Sequence, residues 1–207
     1  MNALSKINDG SDGPPSTGTS RSLLERVKAD DPAAWDRLVT LYAPMVFHWC
    51  RRWDLQDQDV ADICQEVFQA VVAHIGTFRK ERKGDTFRGW LRTIARNKLY
   101  DHFRRLGQEG RGVGGTDAQR RFAELPAPQP EEEDHTAAAE EHALFSRALE
   151  LVQAEFEIRT WQAFWRTAIE GQSAQDVAAD LGMSAGAVRV AKSRVLHRLR
   201  EELGDCL

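Results

Sequence analysis

The segment from Ser173 to Arg200, SAQDVAADLGMSAGAVRVAKSRVLHRLR, constrains the fold most tightly, because it reads as two helices joined by a short turn. Ser173 and Ser184 each stand where an N-cap hydroxyl would accept a first-turn amide. Gly182 falls where the first helix must end in a left-handed residue, a backbone state that a side chain disfavours. Ala178 is small where two crossing helices must approach closely. In the second segment Val188, Ala191, Val195 and Leu199 recur at helical spacing and make one apolar face. Arg189, Val190, Ser193 and His197 point away from that face, Arg194 and Arg200 flank it, and Lys192 lies near its edge. No acidic residue occurs from Arg189 to Arg200. Such a helix suits the major groove of duplex DNA and its phosphate walls.

The remaining periodicity is also helical, and no strand-like alternation appears. Residues 1–20 are rich in Ser, Gly, Asp and Pro and are expected to be a disordered tail. Asp31–Pro32 combines a capping carboxylate with proline at the first helical position. The helix it starts runs to about Tyr42, and Pro44 is expected to break or restart it before Trp53. Val60, Ile63, Cys64, Val67, Val71 and Ile75 form the buried face of a helix from Asp57 to Ile75, closed by Gly76. Another helix is predicted from about Thr86 to Arg105, with Phe87, Leu91, Ile94 and Ala95 as its core stripe. Glycines, then prolines, then Glu131–Glu132–Glu133–Asp134 fill residues 107–139, which read as a flexible acidic linker. A second helical unit begins near Ala137, in which Trp161, Phe164 and Trp165 are expected to be core. The chain is therefore predicted to be all-α: a first domain over 21–106 and a second over 140–207, joined by that linker.

The net charge of −4 does not announce a nucleic-acid binder, but its distribution does. Residues 79–111 carry eleven Lys or Arg against four acids, whereas residues 54–66 carry five acids and no base. Segregation of this kind implies separate surfaces for separate partners. Cys50, Cys64 and Cys206 have neither paired spacing nor a C-x-x-C, which argues against a disulfide framework or a zinc site and for a reducing cytoplasm. No run approaches the length of a membrane span, so a soluble protein without membrane insertion is expected. No nucleophile elbow, phosphate-binding glycine loop or metal-ligand series is present. Catalytic residues, metal and cofactors are accordingly not expected.

Two further helical faces stand out. Asp62, Gln65, Glu66 and Gln69 share a stripe opposite the buried face of their helix; taken alone, that stripe reads as a solvated surface. Paired carboxylates also suit metal binding or acid–base work, but no histidine joins the stripe. Arg88, Arg92 and Arg96 recur every fourth residue, and their row drifts onto Tyr100 and Arg104. Trp90, Tyr100 and Phe103 interleave with them. Cations that track a backbone beside aromatic faces that stack bases suit a single strand. Equally, Phe87, Trp90 and Phe103 suit a core, with the arginines as solubilising charge.

With these pieces placed, the chain resembles the extracytoplasmic-function (ECF) group of bacterial RNA polymerase sigma factors. The residues that carry the resemblance are DPAAW at 31–35, DICQEVF at 62–68, FRGWLRTIARNK at 87–98, and the helix pair at 173–200. The resemblance implies sigma domain two followed by sigma domain four. It assigns Asp62, Gln65, Glu66 and Gln69 to the clamp helices of the largest subunit of core RNA polymerase. It assigns the loop from Arg79 to Arg88 and the helix after it to melting and reading the minus-10 element. There Arg88, Trp90, Arg92, Arg96, Asn97, Lys98, Tyr100 and Arg104 would hold the melted strand, and a flipped base would enter a pocket of the loop. Ser184, Arg189, Lys192, Ser193, Arg194 and Arg198 would read the minus-35 duplex, Arg189 and Ser193 at base edges and Lys192, Arg194 and Arg198 at phosphates. An anti-sigma factor is a further partner the resemblance admits. The loop KERKGDT is longer than usual for the family, and the recognition helix reads VRVAKSR where many members place the basic triplet directly after the valine. Pocket residues and promoter sequence are therefore not carried over. The rival reading is a stand-alone helix-turn-helix regulator, which leaves the first domain unexplained.

Overall fold

The computed structural model describes residues 22–53, 55–81, 85–109 and 130–204, all in helices, turns and connecting segments. The expected tail at 1–20, most of the linker and the loop residues 82–84 lie outside the described residues. Two compact units are present, one from Leu24 to Leu144 and one from Phe145 to Gly204.

The first unit opens with α1 (Leu23–Lys28) and α2 (Pro32–Arg51). Asp31 caps α2: its carboxylate accepts the amides of Ala33 and Ala34, at 3.0 and 3.4 Å, and Pro32 takes a first-turn position that needs no donor. Arg26 Nε donates to the same carboxylate at 2.9 Å. That bond, with the two amide bonds, holds the Asp31 pKa below the ordinary carboxylate value. A lowered folded pKa contributes stability above the unfolded value that is lost as pH falls through the folded one. Asp31→Ala is thus expected to melt earlier than the parent at neutral pH. In thermal scans the two proteins should converge as pH drops below the carboxylate range.

Pro44 does not break α2, contrary to expectation; the helix is continuous through it. Proline removes one backbone donor and crowds the carbonyl a turn earlier, at a cost of about 3 kcal/mol in a helix interior. Here Pro44 is exposed, while Leu41, Tyr42, Met45 and Val46 on either side of it are buried. Packing before and after the proline holds both turns on one axis.

α3 (Asp57–His74) buries Val60, Ile63, Val67 and Val71, with Cys64 half-buried beside them. It gives way to a 3-10 turn over Ile75–Thr77, so Gly76 lies inside a tightened last turn rather than forming a left-handed stop. α4 (Phe87–Glu109) starts where Thr86 Oγ1 accepts the Gly89 amide at 3.0 Å, an N-cap at the residue where the helix was expected to begin. Phe87, Leu91, Ala95 and Leu99 are its buried stripe, and α2, α3 and α4 pack on one another. Phe87 meets Tyr42 and Phe78 edge-on, with ring centroids 5.0 and 5.7 Å apart.

α5 (Pro130–Gln153) begins earlier than the expected Ala137. The helix takes in the last part of the segment that composition reads as linker. In the second unit the rest of α5 precedes α6 (Ile158–Ala168), α7 (Ala174–Leu181) and α8 (Ala185–Leu203). Ala163, Val177, Ala178, Val188 and Ala191 form their common core, with Leu181 and Met183 packed against it. Trp161 and Phe164 belong to the buried face of α6, but Trp165 does not; it is 36% exposed, one residue and about 100° beyond Phe164.

Candidate nucleic-acid interface

α7 and α8 have the capped, tight-turned geometry the sequence implied. Ser173 Oγ accepts the Asp176 amide at 3.2 Å and donates to the Asp176 carboxylate at 2.7 Å. Gly182 ends α7 at φ 60°, ψ 41°, the left-handed state that favours glycine. Ser184 Oγ then accepts the Ala187 amide at 3.1 Å and starts α8. Arg166 of α6 pairs with Asp180 of α7, fixing the supporting helix to the first helix of the pair.

The outer surface of α8 divides its cations into two groups. Val188, Ala191, Val195 and Leu199 are buried, which turns Arg189, Ser193 and Arg194 outward, with Lys192 half-buried at the edge. None of these four polar side chains has a hydrogen bond or ion pair within the described residues. Arg198 differs. Its Nε and Nη2 donate to the two carboxylate oxygens of Glu155 at 2.7 and 3.1 Å, and its Nη1 lies 2.8 Å from the fully buried Glu202. Burial of the guanidinium works against its charge, but Glu155, Glu202 and Glu201 together outweigh that and hold its pKa above the ordinary value. Read from sequence as a phosphate contact, Arg198 is instead paired with carboxylates of its own unit. Periodicity did not reveal this, because Glu155 lies 43 residues away, in the turn after α5.

In the first unit the acidic stripe of α3 keeps Asp62, Gln65 and Gln69 exposed, while Glu66 is half-buried. Arg105 Nη2 donates to Glu66 Oε1 at 2.8 Å, a link from α4 that the sequence did not reveal. On α4, Arg96 and Asn97 are exposed and Lys98 is half-buried. Arg104 pairs with Asp101 at 2.9 Å, and Arg92 stands over the Trp49 ring at 5.9 Å. Arg88 and Tyr100 are half-buried. Trp90 is half-buried against Phe78 and Phe87, at 5.2 and 5.5 Å, and Phe103 lies 6.2 Å from Trp53. The aromatic residues therefore lean toward the core, and the cations supply most of the outer face. The base of the connecting loop is pinned. Lys28 Nζ donates to the Phe78 carbonyl at 2.8 Å, Arg79 to those of Gly76 and Phe78, and the Glu81 amide to Asp85 at 3.1 Å.

Comparison with known proteins bears on both halves. The Sigma-70 region 2 family model matches residues 38–109, the span from within α2 to the end of α4. The ECF RNA polymerase sigma factor SigD of Mycobacterium tuberculosis is 30% identical over 188 residues, 87% of this chain and 82% of SigD. The chain belongs to the ECF group of RNA polymerase sigma factors. SigE of Mycolicibacterium smegmatis, also an ECF sigma factor, is 32% identical over 174 residues, 84% of this chain and 62% of SigE. Among solved structures, the sigma factor RpoE bound to the anti-sigma factor NepR, from Bartonella quintana, aligns at a TM-score of 0.34 and 21% identity, over 82% of this chain and 96% of that one.

For this sigma factor, α2 to α4 are the elements of region 2, and the acidic and basic stripes lie on two of them. Among the described residues no cluster of three or more His, Cys, Asp or Glu side chains is arranged to hold a metal ion. No described helix is long and apolar enough to cross a membrane.

Proposed function

We infer that this ECF sigma factor binds core RNA polymerase and brings it to promoters through two separate DNA-reading surfaces, the polymerase itself performing the chemistry. The outer face of α8 carries the reading: three cations and a serine without internal partners stand on a helix whose opposite side is buried. Arg189 and Ser193 face the base edges of the minus-35 duplex, and Lys192, Arg194 and the Ser184 helix start face phosphates. Arg198 is left out of that set. On α4, Arg88, Arg92, Arg96, Asn97 and Lys98 hold the melted minus-10 strand, with Tyr100, Arg104 and the half-exposed edge of Trp90 beside them. Asp62, Gln65, Glu66 and Gln69 meet the clamp helices of the polymerase largest subunit. An anti-sigma factor is a second protein partner in this reading. The domain division is proposed as a tail over 1–20, sigma domain two over 21–106, a linker over 107–139 and sigma domain four over 140–207, of which residues 140–144 pack with the first compact unit.

Reconstituted transcription tests the whole reading. Purified protein with core polymerase should give specific transcripts from a genomic template, and core alone should give none. Specific duplex binding without any such transcript would favour the stand-alone regulator. The polymerase contact has its own test, with Gln65 and Glu66 both replaced by Ala. Loss of the solvent-accessible Glu66–Arg105 pair, whose arginine is exposed and whose glutamate is half-buried, costs at most about 1 kcal/mol of stability. Helical content by circular dichroism should therefore stay at the parent level while core affinity falls roughly tenfold or more, the effect of truncating a central interface contact. Parent-like core affinity would remove the stripe from the interface.

A further inference from the structure

Trp49 of α2 is nearly buried, and its indole Nε1 donates to Glu140 Oε1 of α5 at 2.6 Å. Glu140 is itself only 6% exposed. Its other oxygen, Oε2, is buried and has no hydrogen-bond partner among the described residues. A carboxylate withdrawn from water and met by one neutral N–H recovers only part of its hydration. An apolar residue would hold this part of α5 at least as firmly, so a carboxylate here is a poor device for stability. It is a good device for a contact that must let go.

The position of this contact gives it a target. Arg92, one of the cations in the α4 row, lies over the face of the same Trp49 ring. Trp49 thus carries a buried carboxylate at its indole N–H and one cation of the α4 row over its ring face. The segment belongs to the first compact unit, which extends through Leu144, and Leu144 is fully buried.

We propose that residues 138–144 of α5 form an internal latch, in which Glu140 stands in for a strand phosphate beside Trp49 and Arg92 and covers part of the strand-holding face of α4 until DNA displaces it. A latch of this kind lowers the apparent affinity of the free protein for single strands by the fraction of molecules in which it is closed. It rests on the reading of the α4 cations as a strand-holding face.

The test uses the full chain without polymerase and a fluorescein-labelled oligodeoxythymidylate as the probe. Glu140→Ala should bind the probe about fivefold more tightly than the parent, and Trp49→Phe, which keeps the packing but removes the donor, should do the same. The double variant should gain no more than either single one, since both open one contact. Glu140→Gln keeps an acceptor for Trp49 but loses the charge that mimics a phosphate, and should gain less than Glu140→Ala. Amide hydrogen exchange over residues 138–144 should accelerate in Glu140→Ala and in Trp49→Phe, independently of any DNA. Unchanged exchange in both variants, with unchanged probe affinity, would overturn the latch. A gain in probe affinity without faster exchange over residues 138–144 would also overturn it, because removal of charge alone would then explain the effect. Arg96→Ala separates the two layers of the reading. If it binds the probe like the parent, the strand-holding face fails and the latch with it. If it weakens binding while Glu140→Ala gains nothing, the latch alone falls.

Discussion

Arg189→Ala is expected to reduce transcription from a cognate promoter by about tenfold to a hundredfold, the range of one bidentate base contact. The position supports that size of effect. Ser184 caps α8, so Arg189 lies in the early turns of the helix, the part of a helix-turn-helix that reaches base edges. Val188 beside it is fully buried, which fixes the direction in which Arg189 leaves the helix. No carboxylate of the described residues competes for its guanidinium. The variant should retain parent stability, because an exposed and unpaired side chain contributes little to folding. Its signature is selective. Promoters obtained by selection with the reconstituted holoenzyme should lose discrimination at one base pair of the upstream element. The dependence of binding on salt should scarcely change. Lys192→Ala or Arg194→Ala should instead weaken all sequences alike and lower the salt slope by about one. Should Arg189→Ala behave in that uniform manner, Arg189 contacts phosphate and the base edge belongs to another residue.

The features legible in the sequence are those set by neighbours a few residues away. Ser173, Gly182 and Ser184 act within one turn of themselves, and all three occupy the roles their chemistry suggested. The apolar stripes of α3, α4 and α8 likewise follow from periodicity, since a helix brings every third and fourth residue to one face. Pro44 was misread because its local penalty is real, and only the packing of Tyr42, Met45 and Val46 against other helices outweighs it. Trp165 was assigned to the core on type alone, although its place in the α6 period puts it at the rim. The candidate site was less legible than the fold for the same reason. Glu66 with Arg105, Arg198 with Glu155 and Trp49 with Glu140 are pairs formed across 39, 43 and 91 residues. A charged residue's duty depends on whether such a distant partner has claimed it, and spacing along one helix carries no record of that.

Arg198 shows how far that distinction reaches, and Arg198→Met is expected to destabilise the second unit by about 3 kcal/mol. The variant leaves Glu202 fully buried without its nearest cation, and breaking a buried pair on one side typically costs 3–5 kcal/mol. The lower end applies because the Arg198 side chain keeps 18% of its exposure and Glu155 keeps 32% of its own. Arg198→Lys should recover only part of the loss, since an ammonium cannot reproduce the two-pronged contact with Glu155. Replacing both Arg198 and Glu202 by Met should recover most of it, because the buried carboxylate is removed together with its cation. The pH dependence follows from the raised pKa. Stability supplied by the charged guanidinium is fully present below the ordinary arginine value and is lost only as pH rises through the higher folded value. The difference between parent and Arg198→Met should therefore stay constant across neutral and mildly alkaline pH in denaturant titrations. For the folded fraction, the salt slope of promoter binding should match the parent. A slope lowered by about one with stability unchanged would return Arg198 to the phosphates. The expected result instead makes it the strut that sets the angle of α8, so that loss of promoter selectivity in this variant follows loss of the fold that presents Arg189.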